Sequence, residues 1–293
     1  MAKFNLNNKT VVISGASGGI GLSLTKTLIT KYNCKVIGIG RNQTKLDSIK
    51  DSIGEDSGNF SYAIFDVSVK QNWIDFKNQL IKDDVKIDVL INNAGFMLPF
   101  KKFHLYSDEE IEEIINTNFI AHVNAIKILM PLLKNSPTPA IVNVSSAAGL
   151  CAVVGESMYC ATKFAMRGLT ETLRQDYKKQ ILVCGVYPGF IKTDILNRMS
   201  VTDKNNKLIN RLMMPVEKAT KKIIKGIRKK KKSIVMGLDG RFMSIFSRLF
   251  PNFTPSVITK VLKASNLELF DGVFEENAIK RQLKDSDKNT GDN

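Results

Sequence analysis

The chain has 293 residues, 43% of them hydrophobic and 24% charged, with a formal net charge of +15. Those proportions are ordinary for a globular protein and exclude a disordered, collagen-like or disulfide-scaffold chain over most of the length. The charge is concentrated: nine basic residues and no acidic one lie between Lys218 and Lys232, leaving +6 on the other 278 residues.

Short apolar runs rich in β-formers alternate with helical patterns from the start. Strands are predicted at 10–14, 35–40, 60–65, 89–92, 140–144, 181–187 and 233–236. Helices are predicted at 19–32, 44–53, 72–82, 108–133, 157–179 and 216–230. Near-continuous apolar strands separated by helices imply an α/β fold: a doubly wound parallel sheet of about seven strands with helices on both faces. The alternation holds to residue 238, which defines one catalytic domain over 1–238. Residues 239–283 form an apolar and basic extension, expected to be short and helical. It carries Phe242, Met243, Phe246, Phe250 and Phe253 among Arg241, Arg248, Lys260 and Lys263. The polar residues 284–293 read as a disordered tail.

Directly after the first strand, Ser14-Gly15-Ala16-Ser17-Gly18-Gly19-Ile20-Gly21 opens a helix. Glycines at 15, 19 and 21 allow a tight turn and let a pyrophosphate approach free N–H groups at a helix N-terminus. The same residues also satisfy Gly-x-Ser-x-Gly, the nucleophile elbow of a hydrolase. That reading requires a late histidine as general base, and no histidine follows His122.

Further along stand Asn92-Asn93-Ala94-Gly95, Asn118, Ser145-Ser146, Tyr159-x3-Lys163 and Pro188-Gly189. Tyr159 and Lys163 are four apart on a helix, so both project from one face. An ammonium beside a phenol stabilises phenolate and is expected to lower the Tyr159 pKa towards neutrality, making it a general acid/base.

Taken together, in this order and over about residues 8–238, these motifs resemble the short-chain dehydrogenase/reductase family, of the NADP(H)-preferring Tyr-x3-Lys type with a C-terminal extension. The resemblance implies a Rossmann fold and a role for each matching position. Tyr159 is the expected proton donor and acceptor, and Lys163 holds the nicotinamide ribose and tunes Tyr159. Ser146, thirteen residues before Tyr159, is expected to bond the substrate oxygen, while Ser145 is structural. Asn118 is expected to anchor a water in the proton relay. Ser14, Gly15, Ser17, Gly19, Ile20 and Gly21 form the glycine-rich turn, with Ser14 standing where the family usually has Thr. Asn93, Ala94 and Gly95 flank the cofactor, with Asn92 bracing the sheet. Asp66 and Val67 stand beside the adenine, and Pro188, Gly189 and Thr193 meet the nicotinamide and its carboxamide.

The second strand ends Gly38-Ile39-Gly40-Arg41, with no carboxylate to bind a ribose 2′-hydroxyl before Asp47. Arg41 offers a fork for a 2′-phosphate, so NADP(H) is the expected cofactor and carbonyl reduction the expected direction. The basic run reads either as the solvated face of a helix packed through Ala219, Ile223, Ile224 and Ile227, or, with the extension, as a peripheral membrane contact through 218–263. The extension alternatively packs over the substrate cleft or in a homo-oligomer interface. No aromatic residues interleave with the lysines, which argues against nucleic acid.

The segment 190–214, with Met199, Met213 and Met214, reads as the substrate loop and suits a lipophilic ketone, aldehyde or alcohol of steroid, retinoid or acyl type. Four cysteines without ligand spacing read as reduced thiols of a cytoplasmic protein, and two histidines argue against a metal site. The first ten residues lack a signal-peptide pattern, and no apolar run is long enough to span a membrane. The expected activity is NADP(H)-dependent interconversion of a carbonyl and an alcohol. The rival is a non-catalytic NADP(H)-binding sensor or scaffold docked at a membrane.

Overall fold

A computed structural model of the chain describes residues 3–193 and 213–276. Seven strands, β1 (Thr10–Ser14), β2 (Lys35–Gly40), β3 (Phe60–Ile64), β4 (Val89–Asn92), β5 (Ala140–Val144), β6 (Leu182–Pro188) and β7 (Ser233–Met236), form one parallel sheet. Their order is β3-β2-β1-β4-β5-β6-β7. The winding direction reverses between β1 and β4, and in such sheets ligands bind outside the carboxyl ends of the strands at that reversal.

Alternating side chains of the strands build two apolar layers. Val11 and Ile13 of β1 pack with α1 (Gly19–Tyr32), α2 (Gln43–Ile53) and α7 (Val216–Arg228) through Leu24, Ile49 and Ile223. Val12 faces the opposite layer, where Trp73 of α3 (Lys70–Lys82), Leu129 of α5 (Ala121–Lys134) and Leu173 of α6 (Ser157–Asp176) cover the sheet. On α7 the buried residues include Ala219, Ile223, Ile224 and Ile227, so its lysines cover the outer face.

The single helix predicted over 108–133 is interrupted. It comprises α4 (Asp108–Ile115) and α5, joined by a π-helical turn at Asn116–Ile120. The helices predicted to reach 179 and 230 end at Asp176 and Arg228, because Lys179 and Lys230 adopt left-handed backbone, with φ of 67° and 53°.

Beyond β7 the extension packs back on the body. It contains α8 (Leu238–Leu249) and α9 (Thr254–Ser265). Asp239 accepts a hydrogen bond from the Phe190 N–H (2.7 Å), and Ser247 donates to the Leu150 carbonyl (2.8 Å). Leu269, Phe270 and Val273 enter a third apolar cluster with Met97, Phe100, Tyr106 and Tyr159. The Phe100 and Phe270 rings meet edge to face, with centroids 4.7 Å apart. Residues 284–293 and Met199 lie outside the described residues. Met214, whose backbone is bridged to Ile191, packs against the main core.

All four cysteines are buried free thiols. Among the described residues no helix is long and apolar enough to cross a membrane, and no cluster of acidic, histidine and cysteine side chains is arranged to hold a metal ion.

Candidate active site

The turn after β1 is shaped by backbone that side chains would obstruct. Gly15 and Gly19 have φ of 67° and 49°, in the left-handed region that favours glycine. A Cβ on Gly21 would collide with the Gly15 carbonyl. No side chain caps the start of α1 and no acidic residue lies in its first turn, so its free N–H groups face the turn. Asn93 clamps the loop from β4 by donating to the carbonyls of Ser14 and Gly15, each at 3.1 Å. Ser14 returns the bond, its hydroxyl accepting from the N–H groups of Asn93 (3.0 Å) and Ala94 (3.1 Å).

A crevice of about 480 Å³ runs along the carboxyl ends of the strands. Its walls include Gly15, Ser17, Gly19, Ile20, Arg41, Asn93, Ala94, Gly95, Ser146, Tyr159, Lys163, Pro188, Gly189 and Thr193. Thr193 stands over the glycine turn: a Cβ on Gly19 would be 3.1 Å from its side chain. The remaining sequence candidates stand behind the crevice as supports. Ser14 is fully buried and spends its hydroxyl on the backbone at 93–94. Gly21 serves the close approach of α1 to the turn. Asp66 accepts from the N–H (2.9 Å) and hydroxyl (2.7 Å) of Ser68 and lies 3.6 Å from Arg41. The carbonyl of the buried Val67 accepts from the Trp73 indole (2.8 Å).

Asn118 occupies the π-helical turn, fully buried. Its side-chain oxygen accepts from the Phe96 N–H (3.0 Å) and its amide donates to the Phe96 carbonyl (2.8 Å). Both polar ends are therefore used to hold the chain beside Gly95. A Cβ on Gly95 would sit 3.0 Å from the Asn118 oxygen and 3.3 Å from Lys163 Nζ, so the absent side chain keeps this corner open.

Tyr159 and Lys163 lie on α6, with Lys163 Nζ 5.4 Å from the Tyr159 ring centroid. Ser145 fixes that helix by donating to the Lys163 carbonyl (2.9 Å), the structural role expected of it. Ser146 faces the Tyr159 phenol closely enough to lower its pKa, and its hydroxyl accepts from the Ala148 N–H (3.1 Å). The electrostatics differ from the sequence expectation. Burial pushes the Tyr159 pKa up from its ordinary value, against the Ser146 hydroxyl that lowers it. Burial also brings Lys163 down to about 8, weakening the charge that was to depress Tyr159.

His122 is no hydrolase base. It is buried behind the site, and its Nε2 donates to the Ala94 carbonyl (2.9 Å). Desolvation, with the Lys163 charge adding, lowers its pKa to about 3, so the ring is neutral.

Sequence reasoning missed several crevice residues. Lys45 joins Arg41 at the glycine end. Its signal was available, since it follows Arg41 by four residues at the start of α2. Met97, Phe100, Val153, Met243, Asp239 and Glu156 are also in its wall. Met243 and Asp239 come from the extension, and no local motif marks any of these six.

The crevice fits a dinucleotide on physical grounds. It offers glycine backbone without side chains, an uncapped helix start, cations at one end, and a Ser–Tyr–Lys set at the other.

Comparison with known proteins agrees with this architecture. The family model described as short chain dehydrogenase matches residues 9–204. An uncharacterized oxidoreductase of Staphylococcus saprophyticus is 32% identical over 209 residues, covering 68% of this chain and 80% of the relative. The 3-ketodihydrosphingosine reductase of Dictyostelium discoideum is 30% identical over 275 residues, covering 86% and 80%. Among solved structures, a short-chain dehydrogenase from Sphingobium yanoikuyae in complex with NADPH aligns with a TM-score of 0.71 at 24% identity, covering 84% of this chain and 95% of that one. One from Burkholderia phymatum in complex with NAD aligns at 0.70 and 19%, covering 79% and 89%. The chain belongs to the short chain dehydrogenase family and is an oxidoreductase.

Proposed function

We propose that the protein interconverts a lipophilic ketone or aldehyde and its alcohol with NADP(H). The observation that carries this reading is the convergence of Ser146, Tyr159 and Lys163 on the crevice that holds the glycine turn. Arg41 and Lys45 support the cofactor choice: both stand at the glycine end, where no carboxylate closes β2 against a 2′-phosphate. Met97, Phe100, Val153 and Met243 support a lipophilic substrate, as does the name of the Dictyostelium relative.

The bound cofactor supplies or accepts hydride at the carbonyl carbon. Ser146 donates to the substrate oxygen and polarises the carbonyl, and Tyr159 delivers the proton as the oxygen becomes an alcohol. Lys163 orients the ribose end of the site and stabilises the phenolate left behind. The side chain of Asn118 is spent on Phe96, so any water relaying the proton would have to be met by the backbone of the π-helical turn rather than by that amide. Tyr159→Phe should lower turnover by about 10²–10⁴ while leaving NADPH binding nearly intact, read by NADPH oxidation and fluorescence titration. Retained activity would overturn the mechanism. Silence of the wild type across a carbonyl screen with NADPH and NADH would favour the sensor reading.

A second feature bears on where the enzyme works. Phe242 and Phe246 stack on α8 with centroids 4.4 Å apart, and Leu249, Phe250 and Phe253 are exposed beside them. Lys222 of α7 lies near enough to Arg241 of α8 to feel its charge, so the basic residues of the two helices share one region of positive potential. This pairing suits an anionic lipid surface.

A further inference from the structure

We propose that Glu156 is the receptor for a protonated amine carried by the substrate near its carbonyl, which makes amino ketones and amino alcohols the favoured substrate class. The proposal deepens the oxidoreductase reading above and rests on it for the identity of the reacting carbonyl.

Glu156 forms part of the crevice wall and precedes Tyr159 by three residues, about one helical turn. It is only 1% exposed, and neither carboxyl oxygen accepts a hydrogen bond from any described residue. Buried polar groups are almost always partnered, and a carboxyl in a low-dielectric site without donors is costly. Its position explains nothing structural, since it caps α6 through its backbone without using its side chain.

The titratable groups facing it are Tyr106, Tyr159 and Cys160, and none of them is cationic. The nearby Lys101 is spent on Glu110, at 2.6 and 2.7 Å to its two oxygens. Lys163 stands on the Gly95 side of Tyr159. The carboxyl thus lacks both donors and a counter-charge. A substrate hydroxyl supplies one donor and no charge, whereas an ammonium supplies three donors and the missing charge. Met97, Phe100, Val153 and Met243 supply apolar wall for the rest of an amphiphile.

Burial raises the pKa of Glu156 to about 9, so in the free protein the group is a neutral acid at pH 7. An arriving ammonium stabilises the carboxylate, and the carboxyl proton leaves to solvent. Amine binding is therefore accompanied by proton release, with no change in bonding elsewhere.

The test uses the NADPH-saturated protein and two probes without a carbonyl, decylamine and 1-decanol. Isothermal titration calorimetry is run near pH 7.5 in buffers of different ionisation enthalpy. The wild type should bind decylamine about tenfold or more tightly than decanol. It should release close to one proton per amine and none for decanol. In Glu156→Gln the preference and the proton release should both disappear. Equal affinities, no proton release in the wild type, or an unchanged preference in the variant would each overturn the proposal. If the variant does not fold, the wild-type proton count decides alone. Failure of the oxidoreductase reading would appear separately, as no NADPH oxidation with any carbonyl while amine binding persists.

Discussion

At the cofactor end, Arg41 sits between two demands, with Asp66 at 3.6 Å on one side and the crevice on the other. Both members of that ion pair are substantially exposed, so the pair is weak and Arg41 is free to turn to a phosphate. Replacing Arg41 and Lys45 together by Ala should lower the NADPH-to-NADH ratio of kcat/KM by about tenfold or more, chiefly through KM. An unchanged ratio would remove the basis for preferring NADP(H).

Glu156 also leaves a signature in stability. Its folded pKa, about 9, stands above the ordinary carboxyl value of 4.5, so the native state binds its proton more tightly than the unfolded chain. The resulting stabilisation is complete below pH 4.5 and is lost as pH rises towards 9. Glu156→Gln should therefore gain on the wild type between about pH 5 and 8.5, by an amount on the order of a few kcal/mol, measured by urea denaturation. Lys163, whose pKa falls to about 8, acts in the opposite sense but is common to both proteins and cancels in the difference.

The proposed catalytic set was legible in the sequence because Ser146, Tyr159 and Lys163 stand at fixed spacings from one another. Glu156 was not, since a single charged residue announces neither burial nor the wall it faces, whereas Lys45 left a signal in its four-residue spacing from Arg41. The direction of the Tyr159 shift was misjudged because spacing reveals neighbours but not desolvation.

Elements were legible where hydrophobic pattern dictates them. β4 and β5 are buried throughout, and their sequences are correspondingly almost continuous apolar runs. The π-helical turn at Asn116–Ile120 carries no such signal, because one extra residue in a turn barely disturbs the periodicity of a long amphipathic helix. The texture of the extension marks it, and packing over the cleft is one of its readings, but the sequence does not name its contacts, since the partners of Phe270 lie far back in the chain at Met97 and Phe100. Phe270 is 3% exposed and edge-on to Phe100. Phe270→Ala should cost about 3 kcal/mol in urea denaturation and raise KM for substrate more than for cofactor. A loss under about 0.5 kcal/mol would mean that the extension is only loosely seated.

For the whole molecule, the clustered charge and the exposed apolar surface bear on the proposed lipid contact rather than on the chemistry. The lysines of α7 cover its outer face, opposite the side that packs through Ala219, Ile223, Ile224 and Ile227 on the main core. If the α8 surface meets lipid, the protein should co-sediment with phosphatidylserine-containing vesicles and less so at high salt. Phe246→Glu combined with Leu249→Glu should abolish that binding without lowering thermal stability, because both side chains are exposed. Absence of sedimentation by the wild type would refute the lipid reading.

The seat of Phe270 has one more consequence, in the order of synthesis. A nascent chain that has emerged as far as β7 already contains every strand, the glycine turn, Ser146, Tyr159 and Lys163. The cluster around Tyr159 still lacks Leu269, Phe270 and Val273, which close its outer side. Domains fold as their residues leave the ribosome, so cofactor affinity can arise before the substrate wall is complete. On the proposed mechanism, catalytic competence is then acquired only once residues 269–273 have emerged, after the sheet has formed.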